Sequence, residues 1–370
     1  MHESADVRSC PTTREIAAPP FFGDEGPDEL IGCTLADKYR LIEPIGQGAY
    51  GRVYRAEQLV LRRDVAVKVL DPTLTSVPEV VERFCREAFA ASRVHHPNAV
   101  AIIDFGRSAT GLFFIVMEYV AGWTLGELIR RLNPIPLPRV IDIAAQVLTG
   151  MEAIHGAGVI HADLKSDNVM IEPLGSGELV KVVDFGIARL RDPEHDAWPM
   201  STLYPTSILP ITPRVGTRVC GTPGYVAPEV IEGAQPSCSC DVYAAGVVLY
   251  HLVTGRLPFT GHVAEEVLRK QLDDIALPPS GHRRGIPMSL DLLVCRAIAR
   301  HPEERFASVT ALRQALETVA MQVAPSSLPY CLCGDDACGR FLDSASARCL
   351  ICRHRRDVHH LSPPSSNSRH

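Results

Sequence analysis

Residues 158–168 read GVIHADLKSDN, and this stretch decides how the rest of the chain is read. Asp163 stands five residues before Asn168, with Lys165 between them. A run over residues 180–183, apolar but for Lys181, then delivers a second carboxylate, Asp184, followed by Phe185 and Gly186. A carboxylate can accept a hydroxyl proton, and an amide and a second carboxylate can serve Mg²⁺ as oxygen ligands. Together they are the minimum equipment for phosphoryl transfer.

HADLKxxN followed by DFG resembles the catalytic and metal loops of eukaryotic-type protein kinases. The resemblance extends outward in both directions. Upstream, Gly46, Gly48 and Gly51 form G-x-G-x-x-G in YRLIEPIGQGAYGRVYRAE, with Ile45 before them and Val53 after. Dinucleotide-binding folds use the same glycine spacing, but there a helix starts at the glycines. Here VYRAEQLVLRRDVAVKVL follows, rich in β-formers and without a helical stripe, which predicts strand, glycine turn, strand. Such a flap lets backbone N–H groups approach phosphate oxygens with no Cβ in the way. Val65-Ala66-Val67-Lys68 matches the family's V-A-I-K strand, and the resemblance assigns Lys68 to the α- and β-phosphates. A helix is expected over residues 78–94, with Ser76 and Glu79 at capping-box spacing and Pro78 in the first turn. Val80, Phe84, Ala88 and Ala91 mark its apolar face, and Glu87 borders that face and can turn inward to Lys68. Glu82 lies off the stripe and reads as solvated. By resemblance the hinge between lobes is Met117–Gly122, where the Glu118 carbonyl and the Val120 backbone would meet adenine.

Downstream, GTPGYVAPE at Gly221–Glu229 resembles the substrate-docking end of the activation segment in Ser/Thr kinases. An insert over residues 190–218 carries five prolines and six Ser/Thr residues and should form neither helix nor central strand. Asp241 opens an apolar helix, which it could cap while bracing the catalytic loop. HPEERF at His301–Phe306 resembles the ending of the bacterial members of the family, and Arg305 would pair with Glu229. His161 reads as a packed structural histidine.

The resemblance therefore implies an α+β, bilobal protein-kinase fold with a small β-rich lobe and a large helical lobe. It implies a Ser/Thr protein kinase of the bacterial eukaryotic-like type that uses ATP and Mg²⁺ on protein substrates, itself included. Asp163 would orient the acceptor hydroxyl and take its proton, Lys165 would balance charge on the γ-phosphate, and Asn168 and Asp184 would hold Mg²⁺. The sequence departs from the family at Ala162, where H-R-D normally carries an arginine that grips a phosphate on the activation segment. The expectation is activity largely independent of that switch. Two rivals belong to other classes: a pseudokinase that binds nucleotide and recruits partners, and a small-molecule phosphotransferase. Lys68, Glu87, Asp163, Asn168 and Asp184 together argue against the first, the APE segment and the Asp241 helix against the second.

Composition narrows the remainder. With 370 residues, 46% of them hydrophobic, the chain can bury a sizeable core and is not a wholly disordered protein. A net charge of −6 argues against nucleic acid as a partner. The N-terminus lacks the apolar stretch of a secretory signal, and the apolar run at residues 244–253 is too short to span a bilayer, so a cytoplasmic location is expected. The expected organisation is a flexible leader over 1–38, the kinase domain over 39–320, a Pro/Ser linker over 321–330 and a Cys-rich tail over 331–370. Five of the twelve cysteines fall between Cys331 and Cys352. Cys333, Cys338, Cys349 and Cys352 could make a tetrahedral structural Zn²⁺ site in a small ribbon.

Overall fold

The structure, a computed structural model, describes residues 28–48, 50–174, 177–184, 189–190 and 221–322, with residues 342–343 and 348–349 in the tail. Residues 1–322 form one unit and residues 323–370 another.

The small lobe is a six-stranded antiparallel sheet in the order β1-β2-β3-β4-β6-β5. Its strands are β1 (Thr34–Leu35), β2 (Tyr39–Gly48), β3 (Gly51–Gln58), β4 (Arg63–Leu70), β5 (Ile102–Arg107) and β6 (Phe113–Glu118). Strand alternation sorts its side chains onto two faces. Val65, Val67 and Val69 of β4 and Phe114 and Val116 of β6 join one buried cluster with Leu41 and Tyr54. Leu70, Phe113 and Ile115 point the other way and pack with Val81, Phe84, Cys85 and Ala88 of helix α1 (Pro78–Ser92). Lys68 is two residues from Leu70, so it shares the face turned to α1. The period of the strand alone aims it at the helix.

Two expectations at these elements are corrected. Ser76 does not cap α1: the N-cap is Val77, Pro78 starts the helix, and the Ser76 hydroxyl donates instead to the Thr73 carbonyl at 3.5 Å. The leader is not wholly separate from the domain. Asp28 accepts hydrogen bonds from Arg52 Nη1 at 2.9 Å and Tyr54 O–H at 2.8 Å, and Leu35 is buried in the sheet's outer cluster. Residues 28–38 thus belong to the small lobe, fixed by a buried acid and one apolar anchor.

Chain entry into the large lobe depends on Gly122, where a Cβ would stand 1.9 Å from the Ile171 carbonyl oxygen. Beyond it lie β7 (Trp123–Thr124), α2 (Leu125–Leu132) and α3 (Leu137–Gly156). Thr124 and Glu127 close a capping box at the start of α2. The catalytic stretch runs from β8 (Val159–Ile160) to β9 (Val169–Leu174), which pairs with β10 (Gly177–Val182). After α4 (Pro228–Ile231) comes α5 (Cys238–Thr254), apolar on all sides and buried on all sides, as a helix of that pattern must be. It is capped by Ser237, not by Asp241. The remaining helices are α6 (Ala264–Asp273), α7 (Met288–Ala297) and α8 (Val309–Ala320). Arg305 meets Glu229 through two bonds of 2.8 and 2.7 Å, as expected, with its guanidinium fully buried. Among the described residues no helix is long and apolar enough to cross a membrane.

In the tail, Leu342–Asp343 and Arg348–Cys349 pair antiparallel. The expected zinc ligands Cys333, Cys338 and Cys352 lie outside the described residues, as does the insert over 191–218.

Candidate active site

Two groups of side chains converge where the lobes meet. The first gathers on Lys68. Its Nζ donates to Glu87 Oε1 at 2.6 Å and to Asp184 Oδ1 at 2.8 Å, with Lys68 and Glu87 both buried. Burial disfavours the charged amine, but the two carboxylates outweigh it and hold Lys68 above the ordinary lysine range. Burial dominates at Glu87 and pushes it up to about 7, against the pull of Lys68. At Asp184 burial is overcome by Lys68, and the acid is lowered to about 2. Asp184 is therefore the stronger acid of the two, and it is also the more exposed one. Glu82 pairs with Arg86 at the surface, as expected of a residue off the stripe.

The second group gathers on Asp163. Thr222 Oγ1 donates to its Oδ1 at 2.9 Å, Lys165 Nζ donates to its Oδ2 at 3.2 Å, and Lys165 also reaches Thr222 Oγ1 at 3.1 Å. Asn168 Nδ2 donates to the Asp163 carbonyl at 2.9 Å. The Val183 N–H bonds the Asn168 carbonyl at 2.9 Å, which ties the segment carrying Asp184 to the loop carrying Asp163.

The loop is braced from below by Asp241, which is fully buried. It accepts the N–H groups of His161 at 2.9 Å and Ala162 at 2.8 Å, and His155 Nε2 lies 2.7 Å away. These bonds hold Ala162 at φ +62°, a left-handed conformation that costs a residue with a Cβ about 1–2 kcal/mol. Asp184 sits at φ +60°. His161 is fully buried and accepts the Asp163 N–H at 3.3 Å, the structural role read from the sequence.

The flap over the site pairs Gly48 with Gly51, and Gly46 with Val53. A Cβ on Gly46 or Gly48 would meet only ordinary contacts at 3.9 and 3.8 Å, so their own packing does not demand glycine. Gly51 has a packing reason as well: a Cβ there would stand 2.0 Å from the Val69 carbonyl oxygen. Ile45 is left half exposed, an uncovered apolar side chain beside the flap. At the hinge Val120 is buried, and the Glu118 side chain pairs with the buried Lys181 at 3.0 Å.

One group went unread in the sequence. Ser166, Tyr225 and His251 meet at 2.9–3.1 Å beneath the loop. They are up to 85 residues apart in the chain, so no local spacing betrays them.

A protein kinase domain profile matches residues 39–317. The chain belongs to the protein kinase family. Its kinase domain is similar to bacterial members: it is 43% identical over 295 residues to the serine/threonine-protein kinase pkn3 of Myxococcus xanthus, covering 79% of this chain and 52% of that one. It is 34% identical over 307 residues to PknB of Mycobacterium leprae, covering 82% of this chain and 46% of that one. The chain thus spans about half the length of the curated relatives it matches. Among solved structures, the PknI kinase domain of Mycobacterium tuberculosis matches with a TM-score of 0.57 at 25% identity, covering 78% of this chain and 98% of that one. The bilobal α+β kinase fold read from the motifs is the fold of this domain.

Proposed function

We propose that this chain transfers the γ-phosphate of ATP to Ser/Thr hydroxyls of proteins, its own included. The observation that carries the reading is the Thr222 hydroxyl between Asp163 and Lys165. An aliphatic hydroxyl at that point donates to a carboxylate, the contact an attacking hydroxyl needs with its base, and has an ammonium beside it for the charge of the transferred group.

The residues divide the work. Lys68, oriented by Glu87, binds the α- and β-phosphates. The flap N–H groups at Gly46, Gly48 and Gly51 cradle the phosphates from above, and Ile45, Val53 and the backbone at Glu118 and Val120 hold the base. Asp163 accepts the hydroxyl proton as the oxygen bonds to phosphorus and the bond to ADP breaks. Lys165 offsets the charge that gathers on the transferred group. Asn168 and Asp184 fit Mg²⁺: one hard amide oxygen and one carboxylate that remains ionised. Among the described residues no three His, Cys, Asp or Glu side chains group as a metal site of their own. Asn168 and Asp184 are the residues that would hold the ion. Bound there, Mg²⁺ would neutralise charge on the phosphates.

The same proposal sets the domain over residues 39–320 and the reaction in the cytoplasm, where ATP is made. It also places a Zn²⁺ ribbon in the tail on Cys333, Cys338, Cys349 and Cys352. The short antiparallel pairing that includes Cys349 supports that part, and zinc analysis of the purified chain tests it.

The test is transfer of labelled γ-phosphate to the chain and to a generic Ser/Thr substrate, with Asp163→Asn alongside. Label on Ser/Thr that falls by at least about 100-fold in the variant is expected. Saturable Mg²⁺-ATP binding with no label in the wild type would replace this reading with the pseudokinase.

A further inference from the structure

The tip of the glycine flap is not free of the rest of the small lobe. Tyr50 lies in the turn between β2 and β3, and two residues, Arg83 and Asp71, tie it down. Its hydroxyl oxygen accepts a hydrogen bond from Arg83 Nη1 at 2.8 Å. The Arg83 guanidinium carbon lies 5.0 Å from its ring centroid. Its carbonyl accepts the Asp71 N–H at 2.8 Å. The ring also packs on the apolar cluster shared by the sheet and α1, which includes Leu70, Val81 and Phe84. The one aromatic side chain of the flap is therefore spent on helix α1 and not on covering the phosphate site.

Arg83 stands four residues before Glu87, so the two share one face of α1. Glu87 in turn holds Lys68 at 2.6 Å. A continuous path of contacts thus runs from the flap through Tyr50, Arg83 and one helical turn to the Lys68–Glu87 pair beneath the flap.

We propose that Tyr50 and Arg83 form a latch by which the glycine flap carries helix α1, which makes both of them positioning residues for the Lys68–Glu87 pair. Closing the flap on phosphates draws α1 inward and seats Glu87 on Lys68. An α1 displaced outward lifts the flap. The latch rests on the phosphotransfer reading for its use, but its coupling is a property of Mg²⁺-ATP binding and can be read there.

The test is a double-mutant cycle in the full chain, read on both Mg²⁺-ATP affinity by calorimetry and kcat/KM for ATP. Tyr50→Phe removes only the hydroxyl and keeps the ring in its cluster. It is expected to weaken both readouts about fivefold, and Arg83→Met by at least as much, since each removes a charge-assisted hydrogen bond. Arg83→Lys, which can still donate to the hydroxyl, should recover to within about twofold of wild type. In a Glu87→Gln background the added Tyr50→Phe change should cost less than about twofold, because the latch acts through Glu87. The same fivefold loss in both backgrounds would overturn the latch, as would Arg83→Lys behaving like Arg83→Met. A wild type that binds Mg²⁺-ATP without transferring phosphate sinks the enzymatic reading, and the cycle on affinity still decides the latch. A wild type that binds no Mg²⁺-ATP sinks both.

Discussion

The His155–Asp241 pair makes the stability of the large lobe depend on pH between the ordinary histidine range and about pH 9. His155 is buried near the C-terminus of α3, with Nε2 2.7 Å from Asp241 Oδ2. Burial alone would lower its pKa, but the bond to Asp241, with a smaller contribution from Cys238, raises it to about 9 from 6.5. A raised histidine stabilises the fold fully below its unfolded pKa, and that stabilisation is lost as pH rises through the folded value. At about 1.4 kcal/mol per unit, the gap corresponds to roughly 3 kcal/mol. The perturbation is His155→Gln, whose amide can still donate to Asp241 but does not titrate. Urea unfolding followed by intrinsic tryptophan fluorescence at several pH values is the assay. Between about pH 6.5 and 9 the wild type should lose roughly 3 kcal/mol relative to the variant, at a slope approaching 1.4 kcal/mol per unit. Above about pH 9.5 the two curves should run parallel. Curves parallel throughout would show that His155 is neutral in the folded chain, and the argument for a charged brace under the catalytic loop would fail.

Three further outcomes follow from single sites. Arg305→Met leaves Glu229 without its two bonds in a largely buried place, so a loss of about 3–5 kcal/mol by urea unfolding is expected, with part of it recovered by adding Glu229→Leu. Gly246→Ala would set a methyl 2.7 Å from Ala297 Cβ and 2.9 Å from Ile298 Cγ2. Despite a helix gain of about 1 kcal/mol, the crowding of α5 on α7 should lower the melting temperature, and Ala297→Gly should restore it. Thr217→Ala should leave transfer to an external substrate within about twofold, since the loop is held by Asp241 through backbone N–H groups and Ala162 offers no cation to a phosphate. An unphosphorylated, inactive Thr217→Ala would show that the insert is needed as a switch after all.

What was legible in the sequence follows from how each contact is encoded. Lys68 and a partner on α1 were implied by the family resemblance, and the apolar stripe of the helix selected Glu87 over Glu82 as that partner. Asp163, Lys165 and Asn168 were legible because they share one loop. The Arg305–Glu229 pair was reached only through the family resemblance, since nothing near either residue points to the other. Asp241 was half legible. Its bracing of the loop was foreseen, but the cap belongs to Ser237, because Asp241 sits a turn inside the helix, where its carboxylate is free to face the loop. Ser76 shows the opposite error. It has the right spacing for a cap, but Val77 and Pro78 set the helix start, and the hydroxyl turns back to Thr73. Residues 28–38 read as part of the leader because they show no helical or strand period, yet Leu35 and the acid at Asp28 are enough to hold them to the sheet. Tyr50 is the most instructive case. In sequence it is one letter within a glycine motif. Its contacts with Arg83 and Asp71 come from elements that the strand and helix periods place without naming, so the coupling they build emerges only when both faces of the sheet are covered. The residues that do chemistry were visible as motifs, whereas the residues that make those motifs act together were set by packing.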